Sequence, residues 1–315
     1  MSLPDLIRQS FFPPPEYNYT QNLHFTVIKK NYTMFHMNEN KLPQNKLDVK
    51  LIALDLDDTL LDSHQEISDE TVHTLRRAAS LGIYIVLCSG RAEDAILPFV
   101  RKLEIAGTQS GRYIIAVNGC SIYDLHQRKR IYNQMVAPEI LLHANRRAKE
   151  MGLVTEVYDP DTIHTEEETK WTRLDVDLCH LKMNVVKDYE EFLKQGFVKM
   201  LIPGEPELLQ KLQARLKADF GSRASVFISK PYFLEILPPD CGKGQAISYL
   251  AKHLELKGGT MGFGDSMNDE TMIRLCTYGV AMKNGLDEIK EIADFVTAKT
   301  NDEDGIADFI QRFVL

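Results

Sequence analysis

Four stretches of this sequence hold residues whose types and spacing could do chemistry. In LIALDLDDTLLD, residues 51–62, an apolar run leads straight into Asp55, Asp57, Asp58 and Asp62. Two ionised carboxylates about 4 Å apart repel by about 4 kcal/mol at an effective dielectric of about 20, so the cluster needs a counter-charge, protons or an outward splay. Asp55 and Asp57 share a face if the strand continues through them. One such carboxylate can attack phosphorus and carry it as an aspartyl phosphate, while its neighbour gives a proton to the leaving oxygen and later takes one from water. In LCSGR, residues 87–91, the Ser89 hydroxyl and the Gly90 amide can donate to phosphate oxygens, helped by the helix start that follows. In CGKG, residues 241–244, Lys243 stands at a helix opening, where the macrodipole disfavours a cation unless an anion is near. Facing carboxylates and phosphate, it would act as an electrostatic clamp. GFGDSMNDE, residues 262–270, crowds Asp265, Asn268 and Asp269, oxygen ligands of the kind Mg²⁺ takes. Taken singly, each stretch also reads as structure alone: an acidic turn, a serine-capped junction, a solvated lysine, a helix N-terminus capped by Asp265 or Ser266.

The elements that must position these residues alternate between strand-like and helix-like patterns. Leu51–Leu56, Ile83–Leu87, Tyr113–Val117 and Thr260–Phe263 read as buried strands; Ser68 to Leu81, Ala92–Leu103 and Lys243–His253 read as helices. Ser121–Asp124 with Arg130–Gln134 reads as a hairpin. Strand–helix alternation implies βαβ units and a mostly parallel sheet, whose ligand sites lie at the carboxyl ends of its strands. The spacing thus predicts an α/β fold, a doubly wound Rossmann-like core with an inserted α/β domain. The core is assigned to residues 49–134 and 238–315, the insert to 135–237, and an N-terminal extension to 1–48. Hinges are expected near Gln134–Pro138 and Leu237–Pro239. Within the insert, Leu208, Leu212 and Leu216 fall on one helical face. Glu166–Glu168 reads as a solvated loop, and His164 and His180 as surface residues.

Composition narrows the function classes. Against 45 acidic residues stand 37 basic ones, a net charge of −8 with no basic block, which disfavours nucleic acid as the partner. No apolar run is long enough to cross a membrane. The five cysteines form no CxxC pair, which favours reduced thiols in a cytoplasm over a disulfide framework or a zinc site; Cys88 and Cys120 read as small core residues. Residues 1–48 hold Pro13-Pro14-Pro15, two glycosylation sequons at Asn18 and Asn31, and Met34 and Met37 as alternative starts. No secretory signal pattern precedes them, so the sequons read as chance.

Jointly, Asp55, Asp57, Ser89, Lys243 and Asp265 occur in an order that resembles the haloacid dehalogenase superfamily of phosphohydrolases. LIALDLDDTLLD, LCSGR, NGCSIYD, LEILPPDCGKG, GFGDSMNDE and VAMKNG are similar to its Cof-type branch, which carries a large α/β cap. The resemblance covers residues from about 49 to 315. It implies Asp55 as nucleophile and metal ligand, and Asp57 as general acid/base with its backbone carbonyl on Mg²⁺. Asp265 would complete the metal site. Leu56 through its amide, Ser89, Gly90, Lys243 and Asn268 would hold the phosphoryl oxygens. Asp269 would orient Lys243 or ligate through water, and Asn118 would face the cap hinge. Asp58 stands where the family often has glycine, and Ser89 where it often has threonine.

The expected activity is Mg²⁺-dependent hydrolysis of a small soluble phosphate ester, sugar phosphates foremost, by a monomer or weak homo-oligomer. A sugar phosphomutase using the same aspartyl phosphate is the nearest rival. A receiver-like phosphoacceptor module is the non-enzymatic one, and a P-loop nucleotidase is disfavoured because GxxxxGK[ST] is absent.

Overall fold

The computed structural model describes residues 41–315. Most of the predicted extension, with both sequons, Met34 and Met37, lies outside the described residues. Residues 41–48 run along the body of the protein. Leu42 and Leu47 pack on its main apolar cluster, and the Leu47 amide donates to the Phe313 carbonyl at 2.7 Å. The Lys41 ammonium donates to the carbonyls of Lys290, Glu291 and Ala293.

Two sheets organise the described chain. The first is built from β1 (Val49–Leu54), β2 (Tyr84–Cys88), β3 (Tyr113–Ala116), β4 (Ser121–Asp124) and β5 (Lys129–Asn133). The chain then makes a second sheet from β6 (Glu156–Tyr158), β7 (Thr162–Thr165), β8 (Lys182–Val185), β9 (Met200–Pro203), β10 (Ser225–Lys230) and β11 (Phe233–Leu237). It returns to the first sheet with β12 (Gly259–Gly264), β13 (Tyr278–Ala281) and β14 (Phe295–Val296). The strand orders are β14-β13-β12-β1-β2-β3-β4-β5 and β10-β11-β9-β6-β7-β8. The first sheet is parallel from β14 to β3, with the antiparallel hairpin at one edge. The second is antiparallel except for β7 with β8.

Ten α-helices among the described residues complete the fold: α1 (Asp69–Ser80), α2 (Glu93–Leu103), α3 (Pro138–Lys149), α4 (Lys170–Cys179), α5 (Tyr189–Leu193), α6 (Pro206–Phe220), α7 (Lys243–His253), α8 (Glu270–Leu275), α9 (Asp287–Ile292) and α10 (Gly305–Phe313). Side chains alternate along β1. Ile52 and Leu54 join the cluster under α1, α2 and α10, while Leu51 and Ala53 join the one under α7 and α8. Helices on both faces leave the parallel strands little wet surface, so they are mostly apolar, with Lys50 near the start of β1 exposed, and the fold is the doubly wound α/β core with an inserted α/β cap. The insert has its own core, with α3 and α6 against Met200, Ile202, Leu234 and Ile236. Its other face meets the start of α2, where Tyr158, Leu201 and Phe233 pack on Ala92 and Ala95. Among the described residues no helix is long and apolar enough to cross a membrane.

The core elements follow the sequence pattern closely, while the insert departs from it in several places. On α6 it is Leu209, not Leu208, that turns inward with Leu212, Leu216 and Phe220. α4 has no apolar period to announce it, because it buries only Thr172, Asp175 and Val176; a Thr169–Thr172 capping box starts it instead. β8 is an exposed edge strand and α5 a single short turn. His164 is buried, not at the surface, with Asp159 at 3.0 Å and Asn184 at 3.1 Å on its two ring nitrogens. The cysteines also differ from expectation. Cys120 and Cys241 are joined as a disulfide across a sequence separation of 121, and Cys88, Cys179 and Cys276 are free.

Candidate active site

Strand order alone puts β1 beside β12, with β2 on its other side, so the chain's direction of travel reverses at β1. Such a switch point opens a crevice at the carboxyl ends of the strands. Asp55 follows β1 and Asp265 follows β12, and the Asp55 amide donates to the Phe263 carbonyl at 3.1 Å. After Asp55 the chain curls back in a tight turn, with the Leu61 amide on the Leu56 carbonyl at 2.9 Å. That turn needs a left-handed residue at Asp58, φ 57°. The position tolerates aspartate and suits glycine still better.

Lys243, the first residue of α7, is fully buried and reaches into this crevice. Its ammonium donates to Asp55 and, at 2.6 Å, to Asp269. The second Asp269 oxygen accepts the amides of Asp265 at 3.0 Å and Ser266 at 3.2 Å. Gly264 makes this approach possible, since a Cβ there would lie 2.5 Å from the Asp269 side chain. Asp265 accepts the Thr59 hydroxyl at 2.9 Å. The carboxylate oxygens of Asp55, Asp265 and Asp269 lie within 4.8 Å of one another.

One ammonium cannot neutralise three carboxylates. Burial, then the charge of Asp269, pushes the Asp55 carboxyl well above its ordinary value, although Lys243 opposes this. Burial and Asp269 likewise push Asp265 up to about 7. Burial alone would lower the Lys243 ammonium, but Asp269 and Asp55 hold it above its usual range. The residual negative charge at a point lined with carboxylate oxygens fits a hard divalent cation such as Mg²⁺.

Asp57 stands apart from this group. Its carboxylate is clasped by Arg91, through Nη2 at 2.6 Å and Nε at 3.2 Å, and Arg91 also donates to Gln65 at 2.7 Å. Burial works the other way, but that clasp lowers the Asp57 carboxyl below its ordinary value, with smaller help from Lys230 and Lys243. The expected shared face of Asp55 and Asp57 is therefore not found: β1 ends at Leu54, and the turn sends the two carboxylates to different partners.

The remaining candidates follow the neighbouring strand ends, Leu56 after β1, Ser89 and Gly90 after β2, Asn118 after β3 and Asn268 after β12. Ser89 is buried after β2, its hydroxyl accepting the Arg91 amide at 3.2 Å. A Cβ on Gly90 would lie 3.0 Å from the Asn118 side chain. Asn118 accepts from Asn268 at 3.3 Å, and Asn268 accepts the Ser266 hydroxyl at 2.7 Å. Leu56 is buried beneath the turn. Sequence reasoning gave no role to Arg91, Thr59, Gln65 or Asn284, whose amide donates to the Asp58 carbonyl at 2.7 Å. Arg91 lay inside a quoted motif, and a cation beside serine and glycine was signal enough. Thr59, Gln65 and Asn284 are marked only by their partners in space.

This arrangement can bind a dianion between Lys243 and amide or hydroxyl donors, and can offer it a buried carboxylate as nucleophile. The profile of haloacid dehalogenase-like hydrolases matches residues 52–310, and the chain belongs to that family. A 5-amino-6-(5-phospho-D-ribitylamino)uracil phosphatase of Bacillus subtilis is 31% identical over 273 residues, covering 85% of this chain and 97% of that protein. The crystal structure of a haloacid dehalogenase-like hydrolase from Bacteroides thetaiotaomicron superposes with a TM-score of 0.76 at 31% identity, covering 84% of this chain and 99% of that one. A subclass IIB sugar phosphatase shares the fold, with a TM-score of 0.70 at 22% identity, 84% of this chain and 98% of that one. The chain is a phosphohydrolase of the Cof-type branch.

Proposed function

We propose that this enzyme is a Mg²⁺-dependent phosphomonoesterase of small soluble esters in the cytoplasm, sugar phosphates foremost, working through an aspartyl phosphate. The observation that carries this reading is the meeting of Asp55, Asp265 and Asp269 within 4.8 Å, with Lys243 bonded to two of them. Asp55 attacks phosphorus in line and the leaving alcohol departs with a proton from Asp57. Water then opens the aspartyl phosphate with Asp57 as base. Lys243, Ser89, Asn268 and the amides of Gly90 and Leu56 hold the phosphoryl oxygens, and Asp269 keeps Lys243 aimed. Asp55, Asp265 and the Asp57 carbonyl would hold Mg²⁺, which when bound offsets the charge of nucleophile and ester. Asp57 must meet the ester protonated; giving that proton to the leaving oxygen leaves it ionised, and Arg91 then holds the carboxylate that takes a proton from water. The inserted domain covers the site, excludes bulk water and reads the leaving group. The ribityl phosphate in the Bacillus relative's name supports a polyol ester.

The test is phosphate release across sugar phosphates, nucleotides and pyridoxal phosphate, with Mg²⁺ and with chelator. Free phosphate is expected with Mg²⁺ only, and an isomerised sugar phosphate in its place would favour a mutase. Asp55→Asn is expected to lose at least about 10³-fold in turnover, since the covalent route is closed. Retained turnover in that variant contradicts the nucleophile assignment.

A further inference from the structure

We propose that Cys120 and Cys241 form a reversible dithiol–disulfide site, oxidised by a low-molecular-weight disulfide, and that the bond staples together the two chain crossings between core and insert. The two cysteines sit at the feet of the insert. The Cys120 carbonyl accepts the amide of Gln134, at the start of the first crossing, at 2.8 Å. Cys241 lies two residues past Pro239, at the end of the second. A link spanning 121 residues therefore encloses the whole inserted domain and both of its connections.

Backbone packing already brings the two loops together. Gly119 has φ 94°, and a Cβ there would lie 2.2 Å from the Gly242 carbonyl. The Cα atoms of Cys120 and Cys241 are 5.8 Å apart, within the range a disulfide spans without backbone movement. Cys120 is fully buried, whereas Cys241 is partly open to solvent. An incoming disulfide RSSR is therefore attacked by the Cys241 thiolate, which releases one RS⁻ and leaves a mixed disulfide. The Cys120 thiolate attacks the Cys241 sulfur, forming the internal bond and releasing the second RS⁻. Two protein thiols are oxidised and RSSR is reduced to two thiols; a dithiol reverses the step. The neighbours of the pair give it reach, because Asn118 precedes Cys120 by two residues and Lys243 follows Cys241 by two. Closed, the staple fixes both crossings against the site; open, it lets them move independently.

The experiment treats the full chain with glutathione disulfide or with dithiothreitol, then alkylates it in denaturant. Intact mass is expected to show three alkylated cysteines after the disulfide, matching Cys88, Cys179 and Cys276, and all five after dithiothreitol. A proteolytic fragment pair should join Cys120 to Cys241. Amide hydrogen exchange in peptides covering 134–138 and 237–241 should be about tenfold slower in the oxidised protein. Cys241→Ser, and Cys120→Ala as a second variant at the buried partner, should show the faster exchange under both treatments. Five alkylated cysteines after glutathione disulfide, a persistent glutathione adduct, a link to another cysteine, or equal exchange in the two states would each overturn the proposal.

Discussion

Around Lys243 and around Lys199 the molecule twice buries carboxylates beside an ammonium, with different outcomes. In the core, one ammonium bonds two carboxylates, a third crowds in, and the oxygens converge within 4.8 Å at the crevice. In the insert, Lys199 lies 3.5 Å from Glu235 and 4.6 Å above the Tyr158 ring. Asp175 takes the Tyr158 hydroxyl at 2.5 Å. Both oxygens of the fully buried Glu156 lack a hydrogen-bond partner, and burial, then Asp175, pushes its carboxyl well above its ordinary value. No cation-holding cluster other than the Asp55 group is found among the described residues. A buried charge, then, does not mark a site. Convergence of several oxygens on one point does, and dispersed carboxylates are instead met one by one or have their carboxyl pushed up by burial.

Lys243→Met tests the core side of the contrast hardest. Turnover should fall by at least about 10²-fold as a phosphate clamp is lost. Stability should fall by about 3–5 kcal/mol, because Asp55 and Asp269 stay buried without their counter-ion. Urea unfolding and phosphate release measure both, and an active, stable variant would end the comparison.

Arg91→Ala comes next. Asp57 should rise towards its ordinary range and lose its orientation. The limb of the pH–rate profile belonging to it then moves to higher pH, and turnover drops about tenfold. An unmoved limb would dissociate Asp57 from Arg91.

The third test concerns metal and pH. Asp265 binds its proton more tightly folded than unfolded, with a folded value of about 7 against an ordinary 3.8. Metal-free protein should therefore lose stability as pH rises through that interval. Mg²⁺ should restore a few degrees of thermal midpoint at pH 8 and almost none at pH 5. Equal midpoint shifts at both pH values would argue that Asp265 does not face the cation.

Glu156→Gln should have the smallest effect on catalysis, within about twofold, because the group serves no converging site. Its raised folded value means that parent stability declines as pH climbs. The variant should thus match the parent in acid and outlast it in mild alkali, by thermal unfolding. A large loss of turnover would erase the distinction between the two clusters.

Legibility followed the same divide. The core strands are buried on both faces, so long apolar runs announced them, and Ser68 caps α1 through the Thr71 amide as its position suggested. Lys243 stood out because a cation at a helix opening needs an anion, and two carboxylates receive it. α4 was hidden because its buried face is polar, and α9 because six residues carry too little period. Burial of His164 is not legible in the sequence, because one of its partners, Asn184, stands twenty residues on in β8, while the other, Asp159, lies in the β6–β7 turn. The cysteine pair was invisible across its 121-residue separation, where no spacing rule operates.

What the amino-acid order determined by itself was local: which segments extend, which coil, and that carboxylates, a serine and a lysine stand at their ends. Those are nearest-neighbour properties, written in period and capping. Only the folded chain decided which of those ends meet. Asp55, Lys243 and Asp269 touch because β1 lies between β2 and β12 and α7 packs across them, whereas Asp57, two positions from Asp55, turns to Arg91 instead. Mutual charge energies depend on distances in space, and those are set by the packing of sheets and helices.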